Sequence, residues 1–184
     1  MGTARSYTPE KLVIAALLSE EALLVPVRAA VEERLGPIDY VSPLLPFDFT
    51  HYYEAEMGPR LSRAFLSVEP LVDPALLASF KDTTNGIEEL FAVAGRRRVN
   101  LDPGMLSQSR FVLASTKDSS HRVPVGHGIF AEITLVYEHG RFRPVEWTYP
   151  DYASEPYRDI LGGIRARYAA ELRSSTQAPR NGAR

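Results

Sequence analysis

The chain has 184 residues, of which 45% are apolar, enough to bury one sizeable core, and its formal net charge is −2. Near-neutral charge supplies no global field for nucleic acid or an anionic membrane, so such a partner would need a local patch. There is no cysteine, which excludes disulfides, thiolate catalysis and cysteine-ligated metal centres.

No apolar run reaches the about 18 residues of a membrane span, and the first residues carry no apolar signal-peptide core. The expectation is a cytoplasmic protein with no membrane partner. A single α+β domain is expected over residues 1–173, and residues 174–184, polar with Gly and Pro, read as a disordered tail.

Leu12 to Leu18 is a continuous apolar run of strand length, expected at the centre of a sheet and buried on both faces. Ser19 offers an N-cap oxygen to the helix that follows, whose stripe is Leu23, Val27, Val31 and Leu35. Pro26 requires either a kink or a helix that becomes regular there, and Gly36-Pro37 ends it. Ile38 to Leu45 reads as one strand closed by Pro46, and Thr50 as the cap of a short helix stopped at Gly58-Pro59.

Leu61 to Leu71 alternates as a strand with one wetter face. Asp73-Pro74 is the clearest helix start, an N-cap followed by proline at N1. Leu77, Phe80, Thr84, Ile87 and Phe91 form its stripe, Gly95 its end, and Lys81, Asn85 and Glu88 a flank expected in solvent. Arg96 to Arg98 suit a helix C-terminus, and the short strand Val99 to Asp102 is expected to turn at Pro103-Gly104.

Arg110 to Ser115 reads as a buried strand. Ile129 to Tyr137 alternates, with Ile129, Ala131, Ile133 and Leu135 on one face and Glu132 and Thr134 on the other. Glu138 to Arg141 is hairpin chemistry returning through Phe142 to Val145. Trp147 to Tyr152 forms an aromatic loop, and Ser154 caps a last helix striped by Tyr157, Ile160, Leu161, Ile164 and Tyr168. This order matches a ferredoxin-like βαββαβ sheet extended by a C-terminal hairpin and a closing helix; a three-layer sheet with mixed strand directions is the alternative.

Four strings carry a resemblance: GPIDYVSPLLPFDFTHYYEAEMG (36–58), RRVNLDPGML (97–106), LASTKDSSHRVPVGHGIFAEITLVYEHG (113–140) and WTYPDY (147–152). The chain resembles a bacterial family of unknown function, DUF4416, from about Lys11 to about Leu172. The resemblance implies no assigned activity, although some members carry the label "GTP-binding protein". A phosphate loop of the G-x-x-x-x-G-K-[ST] kind is absent, and Thr116-Lys117-Asp118 departs from the guanine-reading Asn-Lys-x-Asp. Conventional GTPase chemistry is therefore not expected.

The chemistry-bearing groups concentrate between Arg97 and Tyr137. Asn100 and Asp102 share a strand face, as do Glu132 and Thr134. If those faces coincide, two carboxylates converge, joined by Asp118 and His121 from the intervening loop. Such an oxygen-rich set suits Mg²⁺ or Mn²⁺. Lys117 and Arg122 then face a phosphate, and His121, Asp102 and Glu132 are the candidate catalytic groups. A structural network, with Arg122 paired to Glu132, is the competing reading. His127, between two glycines, is a second candidate.

Two functions follow. One is binding or turnover of a phosphorylated small molecule or nucleotide. The other is a non-enzymatic module contacting RNA or a protein through Tyr52, Tyr53, Trp147 and Tyr149, with nucleic acid disfavoured by the charge.

Overall fold

The computed structural model describes residues 2–177. In chain order it contains β1 (Glu10–Leu18), α1 (Leu24–Leu35), β2 (Ile38–Val41), β3 (Leu45–Phe47), α2 (Glu54–Met57) and β4 (Leu61–Val72). Then follow α3 (Leu77–Leu90), β5 (Val99–Leu106), β6 (Arg110–Ser115), β7 (Val123–Pro124), β8 (Phe130–Glu138), β9 (Arg141–Pro144), α4 (Pro150–Ala153) and α5 (Glu155–Gln177). The mixed α+β class is as expected. The last helix extends to Gln177, and residues 178–184 of the expected tail lie outside the described residues. No helix among the described residues is long and apolar enough to cross a membrane.

All nine strands join one antiparallel sheet ordered β2-β4-β1-β5-β6-β8-β7. β3 follows β2 along the edge of β4, and β9 pairs with β8 beyond the end of β7. β1 lies between β4 and β5 with every residue buried, because its unbroken apolar run can line two cores at once. Leu12, Ile14, Ala16 and Leu18 pack with Val27 and Val31 of α1 and Leu77 and Ile87 of α3. Val13 and Ala15 pack on the opposite side with Phe65, Phe111 and the α5 stripe Tyr157, Leu161, Ile164 and Tyr168. The result is three layers, α1 and α3 on one face and α5 on the other, with no parallel pair among the described strands.

Several local expectations are corrected. Ser19 caps nothing: the turn before α1 has Glu20 at its N-cap without a side-chain bond, and the Ser19 hydroxyl is buried without a partner. Pro26 is the third residue of α1, inside the first turn, where the missing N–H costs no helical bond. The strand expected over Ile38–Leu45 is two strands, broken at Ser42-Pro43-Leu44. Thr50 accepts from the Tyr52 N–H at 3.1 Å and closes a small turn, and α2 begins only at Glu54. The expected wet face of β4 is covered, with Arg63 and Ser67 both buried. Asp73 does cap as expected, accepting from the Ala75 N–H at 2.9 Å.

Two corrections shape the site. Pro103-Gly104 does not turn the chain: β5 runs through it to Leu106 and stays paired with β1 throughout. It pairs with β6 only at Gly104–Leu106. In a strand, alternate peptides face the same neighbour, so Pro103 and Leu101 both present their peptides toward β6. Proline has no N–H to give, the ladder stops there, and β5 and β6 separate toward Val99. In β8, a register shift skips Thr134 between the Val112–Ile133 and Phe111–Leu135 pairs. Such a bulge reverses the alternation. Leu135 therefore leaves the face of Ile129 and Ala131 for the α5-side core and Ile133 is exposed, while Glu132 and Thr134 are both buried.

Candidate functional site

The separation of β5 from β6 opens a cleft of about 610 Å³. The exposed peptide edge at Leu101 is answered from α3: Lys81 Nζ donates to the Leu101 carbonyl at 2.8 Å, and the Glu88 carboxylate accepts from the Leu101 N–H at 2.7 Å. These two residues, expected in solvent, are each 6% exposed. Their seven-residue spacing puts both on one helix face, and an unpaired strand edge needs one donor and one acceptor. That demand is tertiary, which is why the sequence pattern does not reveal it.

Asp102 is the hub of the floor. Its carboxylate is 3.4 Å from Lys81 Nζ, accepts from Asn100 Nδ2 at 2.8 Å, and lies 3.7 Å from the Arg63 guanidinium. Asn100 in turn accepts from Arg97 at 2.9 Å, and Arg97 grips Glu56 at 2.7 Å. Arg63, 2% exposed, also donates to the Ala15 carbonyl at 3.1 Å, lies 3.5 Å from Asp151 of α4, and sits over the Phe47 ring. Arg63 is missed by sequence reasoning. Its only signal is a charged residue in phase with Leu61 and Phe65 on β4.

The opposite wall carries Glu132, 2% exposed and paired across the sheet with Leu113. It accepts from Arg122 Nε at 2.7 Å and bonds His121 Nε2 at 3.1 Å. Trp147 stacks on His121 with ring centres 5.2 Å apart, and Tyr149 bonds Arg122. At the mouth, Lys117 stands 4.0 Å above the Tyr52 ring.

Asn100, Asp102, Lys117 and Glu132 thus line one cleft, as the shared-face expectation requires. His121 and Arg122 stand behind Glu132 and do not line it. Thr134 is fully buried, 3.5 Å from a Glu132 oxygen, and also does not line it. Asp118 is exposed on the loop outside the cleft. His127 bonds Asp82 at 2.6 Å, likewise outside it. Tyr52, Tyr53 and Tyr149 line the cleft, but Trp147 is occupied by His121, so the four aromatics do not form one platform.

Asp102 is matched to Lys81 and Arg63, and Glu132 to Arg122 and His121. Among the described residues no three His, Asp or Glu side chains gather around a common point.

Burial pushes the Glu88 carboxyl above its ordinary value, with Lys81 opposing, and does the same to Asp151, with Arg63 opposing. Burial also raises the Tyr53 and Tyr152 phenols, whereas Lys117 lowers that of exposed Tyr52. For Arg122 burial works against the charge, but the Glu132 carboxylate and the Tyr149 phenol favour it and the net shift is upward.

A family model, described as a domain of unknown function (DUF4416), matches residues 8–168. The chain belongs to the DUF4416 family. That match spans every strand and contains every residue lining the cleft. No curated protein and no solved structure matches the chain.

Proposed function

We propose that this DUF4416 protein binds a small phosphorylated molecule, a nucleotide among the candidates, in the cleft between β5 and β6. The observation that carries the reading is the contrast between Lys117 and its neighbours. Arg63, Lys81 and Arg97 each face carboxylates, while no carboxylate among the described residues pairs with Lys117. An exposed ammonium at the mouth of an aromatic-lined cleft attracts an anion, and the adjacent Tyr52 and Tyr149 rings offer stacking surfaces. The missing phosphate loop argues for a site unlike that of conventional GTPases.

Within this reading Asp102 and Glu132 meet the ligand directly, and any proton transfer falls to them. His121 is a positioning residue: one ring nitrogen is engaged by Glu132, the other by Ser119, and its face is covered by Trp147. The reading also takes β1, β2–β3, β4 and β5, with α1 and α3 as crossovers, as a ferredoxin-like βαββαβ unit. The order β2-β4-β1-β5 and the packing of both crossover helices on one face support that.

Titration calorimetry with inorganic phosphate and nucleoside monophosphates tests the function. A phosphorylated ligand is expected to bind, and Lys117→Ala to weaken it about tenfold, the cost of one charge-assisted contact. Melting should move by less than about 2 °C, since Lys117 is exposed. Binding of single-stranded RNA in preference to every small phosphate would favour the interaction-module reading instead.

A further inference from the structure

The two ends of the cleft differ in chemistry. The inner end holds Arg63, Lys81, Glu88, Asp102 and Asp151, all buried except Asp102, whose side chain is 25% exposed. Carboxylates outnumber cations there, so a phosphate driven to the floor would meet Asp102 and Asp151 at the same time as Arg63. Like charges at such range in a dry site are strongly unfavourable.

A hydroxyl group fits the same surroundings. It donates to a carboxylate and accepts from an ammonium or guanidinium, and alternating partners of both kinds line this floor. Two polar atoms on the inner residues are also left over. Arg63 Nε and the Tyr152 hydroxyl are buried and hold no hydrogen bond. Their residues are 2% and 3% exposed and line the cleft. Buried donors without acceptors are costly, so turning either side chain slightly toward a hydroxyl oxygen on the floor would be repaid by a new bond. The outer end is the reverse, with Lys117 beside the exposed rings of Tyr52 and Tyr149.

We infer that the ligand is a phosphate ester of a polyhydroxylated skeleton, a sugar phosphate or the sugar-phosphate part of a nucleotide. It lies with its hydroxyls inward against Asp102 and its phosphate outward at Lys117. This rests on the phosphate-binding reading above and adds the substrate class and its direction in the cleft.

Calorimetry with ribose 5-phosphate and phenyl phosphate on the unaltered protein tests it. Both carry a phosphate monoester, but only the first carries hydroxyls. Ribose 5-phosphate is expected to bind at least about tenfold tighter, because buried polar groups penalise a ligand that cannot pair them. Asp102→Asn should remove most of that preference, and Lys117→Ala should weaken both esters. Phenyl phosphate binding as tightly as ribose 5-phosphate overturns the inference and leaves the phosphate reading standing. Failure of both esters to bind overturns the two together. The comparison on the unaltered protein needs no variant, so poor folding of Asp102→Asn would not rescue the inference.

Discussion

Arg63 shows how a single residue couples the fold to the cleft. Its guanidinium ties the β1 backbone at Ala15 to Asp102 on β5 and Asp151 on α4. Removing one partner from a buried ion pair leaves the other charge desolvated. Arg63→Met should therefore cost about 3–5 kcal/mol in urea denaturation. Adding Asp151→Asn to that variant should recover part of the loss, since it deletes a carboxylate the change orphaned. Full stability in the single variant would mean that the pairing carries no weight. Sequence reading found Asp102 and Glu132 from period-two spacing, but not Arg63, Lys81 or Glu88. A charged side chain on an amphipathic pattern reads as solvated unless the partner that neutralises it is known, and here Asp102 and Asp151, which answer Arg63 and Lys81, come from distant segments.

At the scale of elements, the cleft exists because two paired strands part company. Pro103 stops the β5–β6 ladder, and Gly104 lets the strands approach closely just before they diverge. A Cβ at Gly104 would lie 2.4 Å from Phe111 Cζ and 3.1 Å from the Val112 carbonyl oxygen. The Phe111 ring is fully buried against Tyr152 and cannot swing aside freely. Gly104→Ala should cost about 1–3 kcal/mol by overpacking, read as a lowered denaturation midpoint, and Phe111→Leu in the same chain should return part of it. An unchanged midpoint would mean that β6 shifts without penalty. The hairpin between β8 and β9 was legible because His139 and Gly140, both at positive φ, are residues that such a turn selects. The bulge at Thr134 was not, because nothing in an alternating string marks which residue its partner strand will skip.

For the whole molecule, ionisation of the buried network sets how stability varies with pH. Burial raises the carboxyls of Glu88 and Asp151, so the native chain holds their protons more tightly than the unfolded chain. Their contribution is complete below the ordinary carboxylate values and is lost as pH rises through the elevated native ones. Glu56 behaves oppositely. Its bonds to Arg97 lower its carboxyl, so its contribution is present above the ordinary value and lost as pH falls through the native one. In thermal melts from about pH 3 to pH 8, Glu88→Gln with Asp151→Asn should flatten the decline on the rising side. Glu56→Gln should flatten the decline on the acid side. Identical profiles for all three proteins would remove these groups from the account.

The amino-acid string alone determined the order of the longer strands and helices, the buried central strand, the stripes of the three long helices and the shared face of Asn100 and Asp102. Each is a local periodicity written in hydrophobic and polar residues. Only the tertiary structure decided that β5 and β6 separate and that Lys81 and Glu88 turn inward to serve the bared Leu101 peptide. It also placed Arg63 beneath Asp102 and left His121 behind Glu132. The physical reason is that a peptide edge or a buried charge imposes its demand on whatever lies beside it in space, and those neighbours are set by strand pairing and helix docking across the whole chain.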